Sequence, residues 1–179
     1  MSSLRFATAQ ALFDAFPEVV RKVGAAPTTD QSPIDFLKAL IASNRLPDAV
    51  TFCAYLLPRR EAVWWACKST KVLSDEILAE APTLRAAEAW VYQPDEERRQ
   101  AAVDLGTKGD SNDPTTWLAL AAGWSSGQLA YGSPAPAYMT ARAVRVAILT
   151  CLPKTPKRTR AERLTRCVQE GIRLAEAGL

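Results

Sequence analysis

Two carboxylates sit inside tryptophan-rich stretches of helical period: Glu61 in Arg59-Arg60-Glu61-Ala62-Val63-Trp64-Trp65 and Glu88 in Ala87-Glu88-Ala89-Trp90. An acid held against an indole in an apolar pocket can keep its proton near neutral pH and serve as a general acid. Neither glutamate has a second acid aligned with it, and each has an arginine in reach, Arg60 (or a neighbouring helix) for Glu61 and Arg85 for Glu88. Ion pairing is therefore the expectation for both, and hydrolase chemistry is only the third reading. The 179-residue chain has no histidine, which removes the commonest general base, nucleophile partner and metal ligand together. Its four cysteines, Cys53, Cys67, Cys151 and Cys167, form no Cys-x-x-Cys pair. They read as small buried apolar residues rather than as a disulfide framework or a zinc site. No catalytic residue, metal ligand or cofactor is expected.

Binding chemistry has more candidates. Trp64 and Trp65 are adjacent, so on a helix their rings point about 100° apart and cannot share one core stripe. One belongs in the core. The other flanks it or anchors a partner, with Arg59 and Arg60 as a charged rim, since Trp and Arg are enriched at binding hot spots. The segment Trp124-Ser125-Ser126-Gly127-Gln128-Leu129-Ala130-Tyr131-Gly132 is the least generic in the chain. A Gly/Ser loop can offer backbone N–H groups to an anion, but the lysine of a P-loop and the serine pattern of a nucleophile elbow are both missing. It reads either as a loop packed by its own Trp, Leu and Tyr or as a contact loop. The third candidate is electrostatic. From Arg142 onward there are nine Lys/Arg against three Glu, whereas residues 1–141 are net acidic. Lys154, Lys157, Arg158, Arg160, Arg163 and Arg166 form a basic stretch able to meet nucleic acid or an anionic surface. No aromatics interleave with it, so a base-stacking surface is not expected; a solvated, partly self-neutralised helix face is the simpler reading.

The elements that carry these residues are helices throughout. Sustained alternation and Asn-Gly turns are missing, and apolar residues recur at helical period. Expected helices run over Thr8–Phe16, with a proline restart to Val23, and from Ser32-Pro33 to Ser43. Further helices open at Pro47, Pro58, Pro82, Pro94-Asp95, Asp113-Pro114 and Pro136. A short helix is expected around Ser74–Glu80, and a last one over Arg158–Ala177. Proline at the first helical position and an N-terminal Ser or Asp cap are the recurrent start signals. The helices joined at Pro58 read as an αα-hairpin. The fold class is therefore all-α, a compact array of about eight to ten short helices in αα-hairpins, with a repeat-like stacking as the variant. Residues 1–179 read as one domain, with weak points at 107–113 and 123–136. Apolar runs are far short of the ~20 residues of a membrane span, and the N-terminus lacks a secretory leader's apolar segment, so a cytoplasmic location is expected.

The order Leu57-Pro58-Arg59-Arg60-Glu61-Ala62-Val63-Trp64-Trp65-Ala66-Cys67, Ala87-Glu88-Ala89-Trp90-Val91, Trp117-Leu118-Ala119-Leu120-Ala121, Trp124-Ser125 and Thr140-Ala141-Arg142-Ala143-Val144 resembles an uncharacterised bacterial all-helical family found near type VI secretion genes. The resemblance spans roughly residues 46–177. It departs from the family pattern in the irregular segment, where Ser126 replaces a glycine, Gln128 a serine and Tyr131 a proline. No catalytic residues carry over. What the resemblance implies is an accessory role in secretion, as adaptor, chaperone or structural partner.

These readings converge on a non-enzymatic protein-binding factor whose partner is a secretion component or effector. The expected contact residues are Arg59, Arg60, Trp64, Trp65, Trp124, Ser125, Ser126, Gly127 and Gln128. Binding of nucleic acid or an anionic surface through the basic C-terminal helix is the alternative, and the Trp-rich helices leave a homodimer open.

Overall fold

A computed structural model describes residues 4–75, 78–126 and 135–179. Among these residues the secondary structure is helical, with no strand. In chain order the helices are α1 (Ala9–Ala15), α2 (Pro17–Lys22), α3 (Pro33–Ala42), α4 (Leu46–Leu56), α5 (Arg59–Leu73), α6 (Pro82–Tyr92), α7 (Glu96–Lys108), α8 (Pro114–Gly123), α9 (Met139–Thr150) and α10 (Lys157–Ala177). This is the all-α array that the periodicity predicts. Side chains of Thr8, Ser32, Asp95 and Asp113 accept hydrogen bonds from first-turn N–H groups of α1, α3, α7 and α8. Proline stands in the first turn of α2, α3, α4, α6 and α8, where its missing N–H costs nothing.

One apolar cluster runs from Ala9 to Leu174. At the N-terminal end it is aromatic: Phe13, Phe36 and Phe52 meet edge to face with centroids 4.8–5.7 Å apart. Such pairs add to simple burial. In the middle lies Trp65, fully buried, its indole N–H donating 2.7 Å to the carbonyl of Cys167 on α10. Two close approaches depend on glycine. A Cβ at Gly171 would stand 2.3 Å from Cys53 Sγ, and one at Gly123 would stand 2.8 Å from the Cα of Val103. Only the bare backbone lets α10 settle on α4 and α5, and α8 on α7.

Three expectations are corrected. Helices α4 and α5 do not form a hairpin. Leu57 and Pro58 between them are both extended (ψ 143° and 157°), which carries α5 away from α4; both helices pack instead on α9 and α10. No helix spans Ser74–Glu80 among the described residues there, which are bend, turn and coil. Pro136 opens a turn, closed by Met139 N–H on its carbonyl at 3.0 Å, before α9 begins at Met139. Among the described residues no helix is long and apolar enough to cross a membrane.

Candidate functional site

The two arginines that open α5 are clamps on other helix ends. Arg59 Nη1 donates 2.8 Å to the carbonyl of Ser125, in the turn that follows α8. Arg60 Nε donates 2.7 Å to the carbonyl of Val91, in the last turn of α6. The last carbonyls of a helix lack intrahelical partners and carry the negative end of its dipole, so a guanidinium satisfies both needs. The expected surface is thus physically joined: the structure brings the start of α5 to the 124–126 turn. Ser125 is itself buried, its hydroxyl bonded to the Ala122 carbonyl, while Ser126 is exposed and Trp124 half-buried against the core. Gly127 and Gln128 lie outside the described residues.

The adjacent tryptophans part as the helical geometry requires. Trp65, expected with Trp64 among the contact residues, is wholly buried and committed to Cys167, so it cannot touch a partner on the folded surface. Trp64 is half-buried. Its ring meets Tyr92 edge to face at 5.5 Å, and the Lys68 ammonium lies 4.7 Å over its centroid. Tyr92 is 71% exposed, more than any other exposed large hydrophobic among the described residues. Its exposure was not legible in the sequence; the available signal is its place at the C-terminus of α6, ahead of Gln93-Pro94. Arg60, Trp64, Lys68 and Tyr92 therefore make a cationic-aromatic ridge over the ends of α5 and α6.

The carboxylate candidates separate. Glu88 pairs with Lys71 of α5 rather than with Arg85, which reaches Glu80 at 3.8 Å. Glu61 lines a cavity of about 280 Å³ with Leu4, Arg5, Pro58, Leu174 and Glu176. Glu176 is exposed and Glu61 only half-buried, which is not the dry setting that makes a carboxyl an acid catalyst. All four cysteines are buried thiols. Burial pushes the Cys53, Cys67 and Cys167 thiols above the ordinary range, so they are poor nucleophiles and poor ligands.

The basic stretch is partly consumed by the fold. Arg163 pairs with Asp75 at 2.7 Å, and Arg160 donates to the Thr155 carbonyl at 2.9 Å. Lys154, Lys157, Arg158 and Arg166 are exposed. Glu170, drawn below the usual carboxylate range by its hydrogen bond from Arg173, interrupts the polar face of α10.

Together these features define an all-α domain whose arginines fasten helix ends and whose exposed chemistry is aromatic and cationic. Residues 36–175 match the sequence profile of a family of unknown function, DUF6931, and the chain belongs to that family. No curated protein and no solved structure matches the chain.

Proposed function

We propose that this protein is a non-enzymatic protein-binding accessory factor, an adaptor, chaperone or structural partner, acting in the cytoplasm as part of a bacterial type VI secretion system. The observation that carries the binding reading is the Trp64–Tyr92 pair, an exposed tyrosine seated on a half-buried tryptophan beside Arg60 and Lys68. Rigid aromatics with a cationic rim are the side chains on which protein interfaces concentrate their energy. The Arg59–Ser125 bond extends this ridge toward the 124–126 turn. The secretion setting rests on the motif resemblance, and the partner class, a secretion component or effector, follows from it.

The test is affinity capture from the native cell lysate at moderate salt, with nuclease treatment, comparing wild type with a Trp64→Ala/Tyr92→Ala double variant checked for native helical content. The expected result is a secretion component held by wild type after nuclease and lost by the variant. A partner list unchanged by the variant would sink the proposed surface. A bound fraction that is nucleic acid alone and disappears with nuclease would transfer the function to the basic face of α10.

A further inference from the structure

Lys68 belongs to two features at once. Its ammonium lies 4.7 Å over the Trp64 ring, and the residue also lines a cavity of about 290 Å³ between α5 and α10. Ser69 and Val72 of α5 and Arg166, Cys167 and Glu170 of α10 line the same cavity. Close packing brings the two helices together there: the Cys167 thiol donates to the Ser69 carbonyl at 3.9 Å. Each of these two residues is the chain neighbour of a cation, Lys68 on one helix and Arg166 on the other. Along α5, Trp64, Lys68 and Val72 follow one another at four-residue intervals and share a face. The Trp64–Tyr92 contact and the cavity are therefore the two ends of one strip about 12 Å long. Tyr92, Lys68 and Arg166 are all exposed along it.

The charge of the strip is one-sided. Lys71 is spent on Glu88, Arg163 on Asp75 and Arg173 on Glu170. Glu170, the one acid in the cavity lining, is thus already held by a fork of bonds at 2.7 and 2.9 Å. Arg60, Lys68 and Arg166 have no ion-pair partner among the described residues, and Arg60 gives its hydrogen bond to the neutral Val91 carbonyl. Three uncompensated cations accompany an aromatic step at one end and a cavity at the other. A continuous phosphate backbone suits this poorly. It would meet the carboxylates of Glu88 and Glu170 along the way, and Lys68 already covers the Trp64 ring on which a base would stack.

We infer that the strip takes an acidic, amphipathic segment of a partner protein, with an apolar or aromatic side chain against Trp64 and Tyr92 and a carboxylate between Lys68 and Arg166. This partner chemistry rests on the protein-binding reading of the ridge and extends its surface onto α10. A guanidinium and an ammonium at one cavity give a carboxylate two charge-assisted partners. On a partner helix, an apolar residue and an acid one or two turns apart span about 6–12 Å and meet both ends of the strip. Opposite charge across such a surface sets partner choice and speeds encounter.

Selection from a displayed library of random peptides about twelve residues long, roughly three helical turns, against the full chain tests this. Enriched peptides should combine Asp or Glu with a large apolar side chain. A synthetic copy of the strongest should bind wild type more weakly as salt rises. It should lose roughly five- to tenfold in affinity against Lys68→Gln/Arg166→Gln and nothing against Lys157→Gln/Arg158→Gln, at the start of α10. Exchanging the peptide's acid for its amide should cost wild type about the same factor and cost Lys68→Gln/Arg166→Gln little, because the two changes remove one interaction. Circular dichroism of each variant checks that the helices are intact. Failure to enrich any peptide, enrichment of neutral or basic ones, or an acid-to-amide exchange that costs both proteins equally overturns the acidic partner. If peptides of that kind still lose binding to Trp64→Ala/Tyr92→Ala, the ridge stands and only its charge preference falls; if they do not, the ridge falls too. Displacement of the peptide by an equal concentration of oligothymidylate would overturn the assignment in favour of nucleic acid.

Discussion

Replacing Gly171 by alanine sets two effects of known size against each other. Gly171 lies inside α10, where alanine would raise helix propensity by about 1 kcal/mol. Its Cβ would stand 2.3 Å from Cys53 Sγ, 3.1 Å from Trp65 Nε1 and 3.2 Å from Trp65 Cε2. Cys53 and Trp65 are both fully buried, and the indole is fixed by its bond to the Cys167 carbonyl. Neither can swing aside into solvent. Overpacking of this kind costs about 1–3 kcal/mol, with about 1 kcal/mol more if the indole bond is broken. With the indole bond broken the overlap wins: the net expectation is a loss of about 1–3 kcal/mol, a fall in Tm of roughly 2–12 °C for a chain of this size. Urea unfolding followed by tryptophan fluorescence measures it. Cys53→Ala alone should cost about 1 kcal/mol for the small void it leaves. It also removes the worst overlap, so the double variant should lose less than the sum of the singles by about 1 kcal/mol. A Gly171→Ala protein more stable than wild type would mean that propensity prevails and that α10 does not approach α4 this closely. Strict additivity with Cys53→Ala would refute the same contact.

Three further outcomes follow from polar groups that the fold holds in place. Arg99, 4% exposed, donates 2.7 Å to the Gly123 carbonyl at the end of α8 and forks onto Glu96; Arg99→Leu should cost about 2–3 kcal/mol in chemical denaturation by orphaning that carbonyl, and Arg99→Lys should restore only part of it. Burial, followed by Glu18, pushes the Tyr55 phenol up to about 12. The unfolded chain therefore releases this proton first, and stability present below about pH 10 is lost as pH rises toward 12. At pH 11 the loss is about 1 kcal/mol, so the stability of Tyr55→Phe relative to wild type should rise by about that much between pH 9 and 11, and a constant difference would contradict the shift. Asp113 Oδ1 accepts from both the N–H and the hydroxyl of Thr115 at 2.8 Å; Asp113→Ala should cost about 1 kcal/mol, read as a lower urea midpoint with unchanged slope.

The helices were legible because their starts are written in local chemistry. Pro33, Pro82 and Pro114 stand in first turns as expected, and Ser32, Asp95 and Asp113 cap them or their neighbours. What local pattern misses is direction. Pro58 signals a helix start correctly, yet the hairpin inferred there fails because Leu57 and Pro58 are extended and aim α5 at α9 and α10. The same limit governs the site. Arg59 and Trp64 stand out as residue types, but the Arg59–Ser125 bond spans 66 residues, and the Trp64–Tyr92 contact joins two helices.

The four buried cysteines have a practical consequence. Cys53 lies on α4, Cys67 on α5 and Cys167 on α10, and Cys151 closes α9. Each thiol is at most 3% exposed, so an alkylating reagent reaches it only when its own helix detaches. Under native conditions the labelling rate at each position reports the free energy of that opening. The molecule therefore carries four internal clocks, one per helix, that would record the order in which its central layer comes apart.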